Sequence, residues 1–301
     1  MEQRETGRER GRVPVDGARG ASSFETIYGV DFSGARLAGR TTFVARTEPL
    51  DDGRLRLLEL DSLERLAGSA ERPAALAHLV AMIRGSRDAL WAIDAPFGLP
   101  IELLESRQTW AGFLRFVEAW EDDGYDLGLW ALAKAKALGG PNHIRRFTDV
   151  EARAPFDPYH YRIIYQTYHA MRDVVAPLVR ERGTAVLPFH YRRLAAAHRV
   201  VVEACPSSTI KRLGLPHQNY KQPAGGPLTP RRRRTRHAIL AGLGSHVEIS
   251  PLHRRRIMRD PGGDAMDAVI SAVGAWIVWR SVDHERIARD RRVVREGYLY
   301  A

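Results

Sequence analysis

Three short apolar segments, far apart along the chain, each run into a carboxylate, and no other feature limits the fold as tightly. They are Thr26 to Asp31, Ala89 to Asp94, and Val200 to Glu203. Short apolar runs bounded by Gly, Pro and Ser are the pattern of strands covered on both faces. If such strands are parallel neighbours, their carboxyl ends share one edge of a sheet, which is where open α/β sheets place their ligands. Asp31, Asp94 and Glu203 would then converge.

The intervening chain fits that architecture. Thr41 to Thr47 and Arg54 to Leu60 alternate in polarity around the Pro49 and Asp52-Gly53 turn, which predicts an antiparallel pair following the first strand. Arg72 to Ile83 sets Leu76, Leu79, Val80 and Ile83 on one helical face. Between Leu99 and Pro188 the pattern is helical, with tryptophans at 110, 120 and 130 and a polar break from Gly139 to Pro158. That stretch is too long for a plain loop and predicts a helical insertion over about 101–186. Asp264 to Val282 reads as a strongly apolar helix, and no internal repeat is evident. Residues 1–23, rich in Arg, Glu and Gly, carry too little apolar surface to offset their ordering entropy and read as a disordered arm before a domain at 24–301.

Composition narrows the class further. The net charge of +10 is almost all arginine, because Lys134, Lys136, Lys211 and Lys221 are the only lysines among 46 basic residues. Arginine suits phosphate, although a GC-rich genome produces the same bias. Cys205 is the single cysteine, which excludes an internal disulfide and a multi-thiolate zinc site and fits a reducing cytoplasm. At the end of a strand, with no base nearby, it reads as packing rather than as a nucleophile. No run reaches the ~18 apolar residues of a membrane helix, so no membrane association is expected.

The C-terminal helix opens Gly263-Asp264-Ala265-Met266-Asp267-Ala268, with its two acids one turn apart on one face. Asp264 has a bland role open to it, favouring the positive end of the helix dipole. Asp94 could cap the turn before Pro96, and Glu203 could belong to a plain strand-to-helix turn. Asp267 is harder to explain away: it lies among Ala265, Ala268, Val269 and Ile270, where an unpaired buried carboxylate is costly. Clustered carboxylates repel one another, and Mg²⁺ or Mn²⁺ is their usual neutraliser because hard cations prefer oxygen ligands. Two such ions can clamp a phosphodiester for in-line attack by water. The expected metal ligands are Asp31, Asp94, Glu203, Asp264 and Asp267, with Asp31, Asp94, Asp264 and Asp267 as the catalytic set.

The pairing of Gly29-Val30-Asp31 with Asp264-Ala265-Met266-Asp267-Ala268 resembles the ribonuclease-H-like superfamily, in particular its Holliday-junction-resolvase branch. With Ile93-Asp94-Ala95-Pro96-Phe97-Gly98 and Glu203-Ala204-Cys205-Pro206-Ser207 added, the set more closely resembles the predicted-nuclease family known as domain of unknown function 429, over nearly everything after Phe24. The resemblance implies an α/β fold with a ribonuclease-H-like mixed sheet (βββαβαβα) and catalytic roles for Asp31, Asp94 and the helix pair.

Nucleic acid, DNA or RNA, is the expected partner. Candidate substrate contacts are Ser33 in the turn after Asp31, Arg145 and Arg146 in the polar break, and Arg231, Arg232 and Arg233 at the start of a helix, whose ordinary reading is a solvated face. His160, Tyr161, Gln166 and Thr167 are further candidates, whereas the tyrosines from 159 to 168 read chiefly as a packing stripe. Three functions compete: a metal-dependent nuclease, a non-catalytic ribonuclease-H-like module that holds nucleic acid through arginine, and an ATP-binding relative of actin. A second glycine-rich phosphate loop, which the third would need, is missing from the sequence.

Overall fold

The computed structural model describes residues 24–301, so the arm expected at 1–23 lies outside the described residues. Seven strands, β1 (Thr26–Asp31), β2 (Phe43–Pro49), β3 (Leu55–Ser62), β4 (Ala89–Ile93), β5 (Thr184–Val186), β6 (Arg199–Glu203) and β7 (Val247–Glu248), form one mixed sheet in the order β5-β6-β4-β1-β2-β3-β7. Only β2 runs against the rest: it pairs antiparallel with β1 and β3, and every other pairing is parallel. The three acid-ended strands are the parallel neighbours β6, β4 and β1. Edge strands β5 and β7, of three and two residues, are too short for any periodicity in sequence to announce them.

Strand pleating sends alternate residues to opposite faces, so the sheet has two cores. Val30, Trp91, Ile93 and Val201 pack with the Arg72–Gly85 helix and with Trp110, Phe113, Leu127, Tyr168 and Met171 of the insertion. The helices between β4 and β5 therefore continue the same core as the sheet and form one of its covering layers. Ile27, Leu90, Ala92, Val200 and Val202 face the other way, against the Asp264–Ser281 helix and Ile239, Leu240 and Leu243 of the Pro230–Leu243 helix. Among the described residues no helix is long and apolar enough to cross a membrane.

The Asp264–Ser281 helix sits on β1 so closely that residue 29 cannot carry a side chain. A β-carbon there would lie 2.0 Å from the Ala268 carbonyl oxygen and 2.5 Å from the Ala272 nitrogen. The glycine two residues before Asp31 is thus the contact that brings the Asp264 and Asp267 turn onto the end of β1. Gly29→Ala is expected to cost about 1–3 kcal/mol by overpacking. Urea denaturation checks this against Gly85→Ala, where the added methyl would meet nothing within 4 Å; equal stability of the two variants would refute the steric account.

Candidate functional site

Register decides which of the acids meet. Val30 is level with Ile93, and Ile93 with Glu203, so the residues beyond them, Asp31, Asp94 and Ala204, form the next row across the sheet. Asp31 and Asp94 share the parity of Gly29 and Ala92 and point to the face covered by the Asp264–Ser281 helix. Glu203 shares the parity of Val201 and points to the opposite face. There it is 0% exposed and paired with Arg146 Nη1 at 2.8 Å. Glu203 does not line the cavity in which the other acids stand.

That cavity, about 540 Å³, is lined by Asp31, Asp94, Asp264 and Asp267, with Ser33, Gln166, Cys205, Tyr220 and Lys221 around them. Asp31 is 7% exposed and Asp267 2%. The carboxyls of Asp31, Asp94 and Asp264 stand close enough to act on one another's ionisation. Burial pushes the Asp31 carboxyl well above the ordinary carboxylate range, and the charges of Asp267, Asp264 and Asp94 push it the same way against the pull of Lys221. Asp94 is raised to about 7, by burial and then by Asp267, and Asp264 to about 6, chiefly by burial.

Asp264 is free to join this cluster because Asp260 supplies the helix cap. Asp260 Oδ2 accepts from the Ala265 N–H at 2.9 Å and its Oδ1 from Gly262 N–H at 3.1 Å. Asp267 is met differently. Tyr220 Oη donates to its two oxygens at 2.9 and 3.2 Å, and the Lys221 ammonium forms a short ion pair with Oδ2. Burial works against the charged form of Lys221, but Asp267 and Asp31 outweigh it and hold the ammonium protonated well above the ordinary lysine range.

The backbone at residues 220 and 221 is itself clamped. Arg236, fully buried, donates through Nε to the Tyr220 carbonyl at 2.7 Å and through Nη1 and Nη2 to Ile257 and Pro261 at 2.8 and 2.9 Å, with a further contact to the Asp260 carbonyl. Arg232 Nε donates to the Lys221 carbonyl at 2.7 Å. The arginine run therefore divides by helical face: Arg232 and Arg236 turn inward and tie the Lys221 loop to the start of the Asp264 helix, while Arg231, Arg233 and Arg234 are exposed. Arg236→Ala is expected to lower the unfolding midpoint, since one side chain holds both the Lys221 loop and the start of the Asp264 helix. Thermal melting checks it, and an unchanged midpoint would refute it.

The remaining candidates are placed as follows. Ser33 lines the cavity, its N–H donating to Thr42 Oγ1 at 3.1 Å. Gln166 Nε2 donates to the Asp94 carbonyl, and Thr167 is buried on the Pro158 carbonyl at 2.6 Å. Arg145 is exposed and donates to Pro155, which lines the cavity. His160 stacks on Phe156, another lining residue, and Tyr161 is exposed beside it. Tyr159 and Tyr168 are buried packing, as the sequence suggests, whereas Tyr165 is more open. Cys205 borders the cavity as a thiol, its ionisation pushed up to about 12 by burial and by Asp94.

Arg146 borders the same cavity, but its guanidinium is committed to protein partners. It is 0% exposed, with Nε and Nη2 on Asp149 at 3.0 and 2.8 Å and Nη1 on Glu203 and the Glu296 carbonyl. Removing it leaves two buried acids without a cation, so Arg146→Met is expected to cost about 3 kcal/mol. Denaturant unfolding reads this, and a partner change of Glu203→Gln should recover part of the loss.

Sequence reasoning missed Tyr220 and Lys221. They stand in a loop without periodicity, and the one available signal was compositional: Lys221 is one of four lysines in a chain that otherwise uses arginine.

Among the described residues no three His, Cys, Asp or Glu groups stand as a ready-made metal cage. No family model, curated protein or solved structure matches this chain, so its own geometry is what the functional reading rests on.

Proposed function

We propose that the protein is a divalent-metal-dependent nuclease or related phosphodiesterase of ribonuclease-H-like fold. The observation that carries the proposal is the meeting of Asp31, Asp94, Asp264 and Asp267 around one open cavity, with Asp31 and Asp267 buried. The element order favours the fold assignment, since without edge strands β5 and β7 and the short Ala38–Thr41 helix the chain reads βββαβαβα.

The donor set suits Mg²⁺ or Mn²⁺: it is all carboxylate oxygen, and ions of this kind take hard oxygen ligands. Asp31, Asp94 and Asp264 would hold the metal, with Asp267 beside them. When bound, such an ion polarises a phosphoryl oxygen and lowers the pKa of water. The chain supplies the rest. Asp31 stands at the centre of the cluster, Lys221 places a fixed positive charge at the cavity wall, and Ser33 and Gln166 offer polar contacts to a bound phosphodiester. Exposed Arg231, Arg233, Arg254 and Arg255 add positive charge suited to a nucleic-acid backbone, without reading its sequence.

The test is cleavage of labelled single-stranded, duplex and branched DNA and RNA with Mg²⁺, with Mn²⁺ and with chelator. Metal-dependent cleavage is expected. Salt-sensitive binding of nucleic acid with no cleavage under any metal would replace this reading with a non-catalytic nucleic-acid-binding module.

A further inference from the structure

Among the described residues Lys221 is the one cation paired with an aspartate of the carboxylate cluster, although its side chain is 42% exposed. Its ammonium contacts Asp267, and its charge also acts on Asp31, Asp94 and Asp264. Its backbone, by contrast, is firmly held. The carbonyls of residues 220 and 221 are gripped by Arg236 and Arg232, both from the Pro230–Leu243 helix, so the loop is fixed on either side of the Lys221 α-carbon. Gly263, at φ +89°, makes room for the lysine stem: a β-carbon there would stand 3.1 Å from Lys221 Cγ. Both oxygens of Asp267 are already engaged, by Tyr220 and by Lys221.

We propose that Lys221 serves as a built-in second cation, so that this site takes a single divalent ion, held by Asp31, Asp94 and Asp264, where a bare set of four carboxylates would take two. The inference rests on the metal-dependent reading above and gives it a stoichiometry. Four carboxylates in a low-dielectric cavity need several positive charges nearby. Among the described residues Asp31, Asp94 and Asp264 form no ion pair of their own, which leaves them to one metal ion. The fourth is neutralised permanently by an ammonium that no chelator removes, and a second divalent ion at Asp267 would have to displace it.

The experiment is Mn²⁺ binding to the intact chain at pH 8, by calorimetry for stoichiometry and by electron paramagnetic resonance for coupling between ions. Wild type and Lys221→Arg are expected to take one ion per chain with an uncoupled Mn²⁺ spectrum. Lys221→Gln, shown to be folded by circular dichroism, is expected to take two, with a spin-coupled signal. Two ions in wild type, or one ion in both wild type and Lys221→Gln, would overturn the role of Lys221 and leave the metal reading standing. No Mn²⁺ taken up by any of the three proteins would remove the metal reading itself.

Discussion

Asp31→Asn is expected to lower metal-dependent cleavage of nucleic acid by at least about 10³-fold while leaving the fold intact. Asp31 lies among the other three acids and feels the charges of Asp267, Asp264, Asp94 and Lys221. An amide in its place removes the carboxylate around which the proposed metal site is built. If a metal ion contributes several kcal/mol to the transition state, losing its central ligand costs on that scale, which is about three decades in rate. Stability should move little or rise, because a buried carboxyl whose ionisation is opposed by its neighbours is exchanged for a neutral isostere. Cleavage assays on wild type and variant, with unfolding curves for both, test the two halves together. Wild-type rates from folded Asp31→Asn would show that the cluster is not the catalytic centre.

Much of this site could be read from the sequence because each of its four aspartates ends or begins a regular element. Apolar runs located the ends of β1 and β4, and helical spacing put Asp264 and Asp267 on one face. Glu203 met the same criterion and yet belongs to another network, for a reason that a single sequence does not carry. It ends its strand one residue earlier in the register than Asp31 and Asp94 stand, and in a pleated sheet one residue exchanges the two faces. The arginine run was visible as charge, but its division into exposed and inward-facing members depends on how the Pro230–Leu243 helix lies on residues 220–222 and 257–261. Tyr220 and Lys221 come from a loop whose shape is set by those distant arginines, so no local pattern could mark them.

The raised carboxyls also make the protein's stability depend on pH in a definite direction. Asp94 is raised from the ordinary 3.8 to about 7, and Asp264 to about 6. A carboxyl raised in the folded state stabilises the fold while it stays protonated, and that contribution is lost as pH climbs from the unfolded value through the folded one. For Asp94 the window is about pH 4 to 7 and the loss is on the order of 4 kcal/mol. Glu203, raised to about 7 mainly by burial, slopes the same way. His190 slopes the other way: burial, with Arg193, holds it down to about 4, so its contribution is lost as pH falls. Comparing wild type with Asp94→Asn in chelator, by urea unfolding at pH 5 and pH 8, cancels both of these. Wild type is expected to lose more stability than the variant between the two pH values. Adding Mg²⁺ at pH 8 should restore wild type, by about 2.7 kcal/mol at a hundredfold excess over its dissociation constant, and restore Asp94→Asn less. Parallel pH profiles for the two proteins would mean that the Asp94 carboxyl is not raised in the folded state, and would refute the account of its ionisation being opposed by burial and by Asp267.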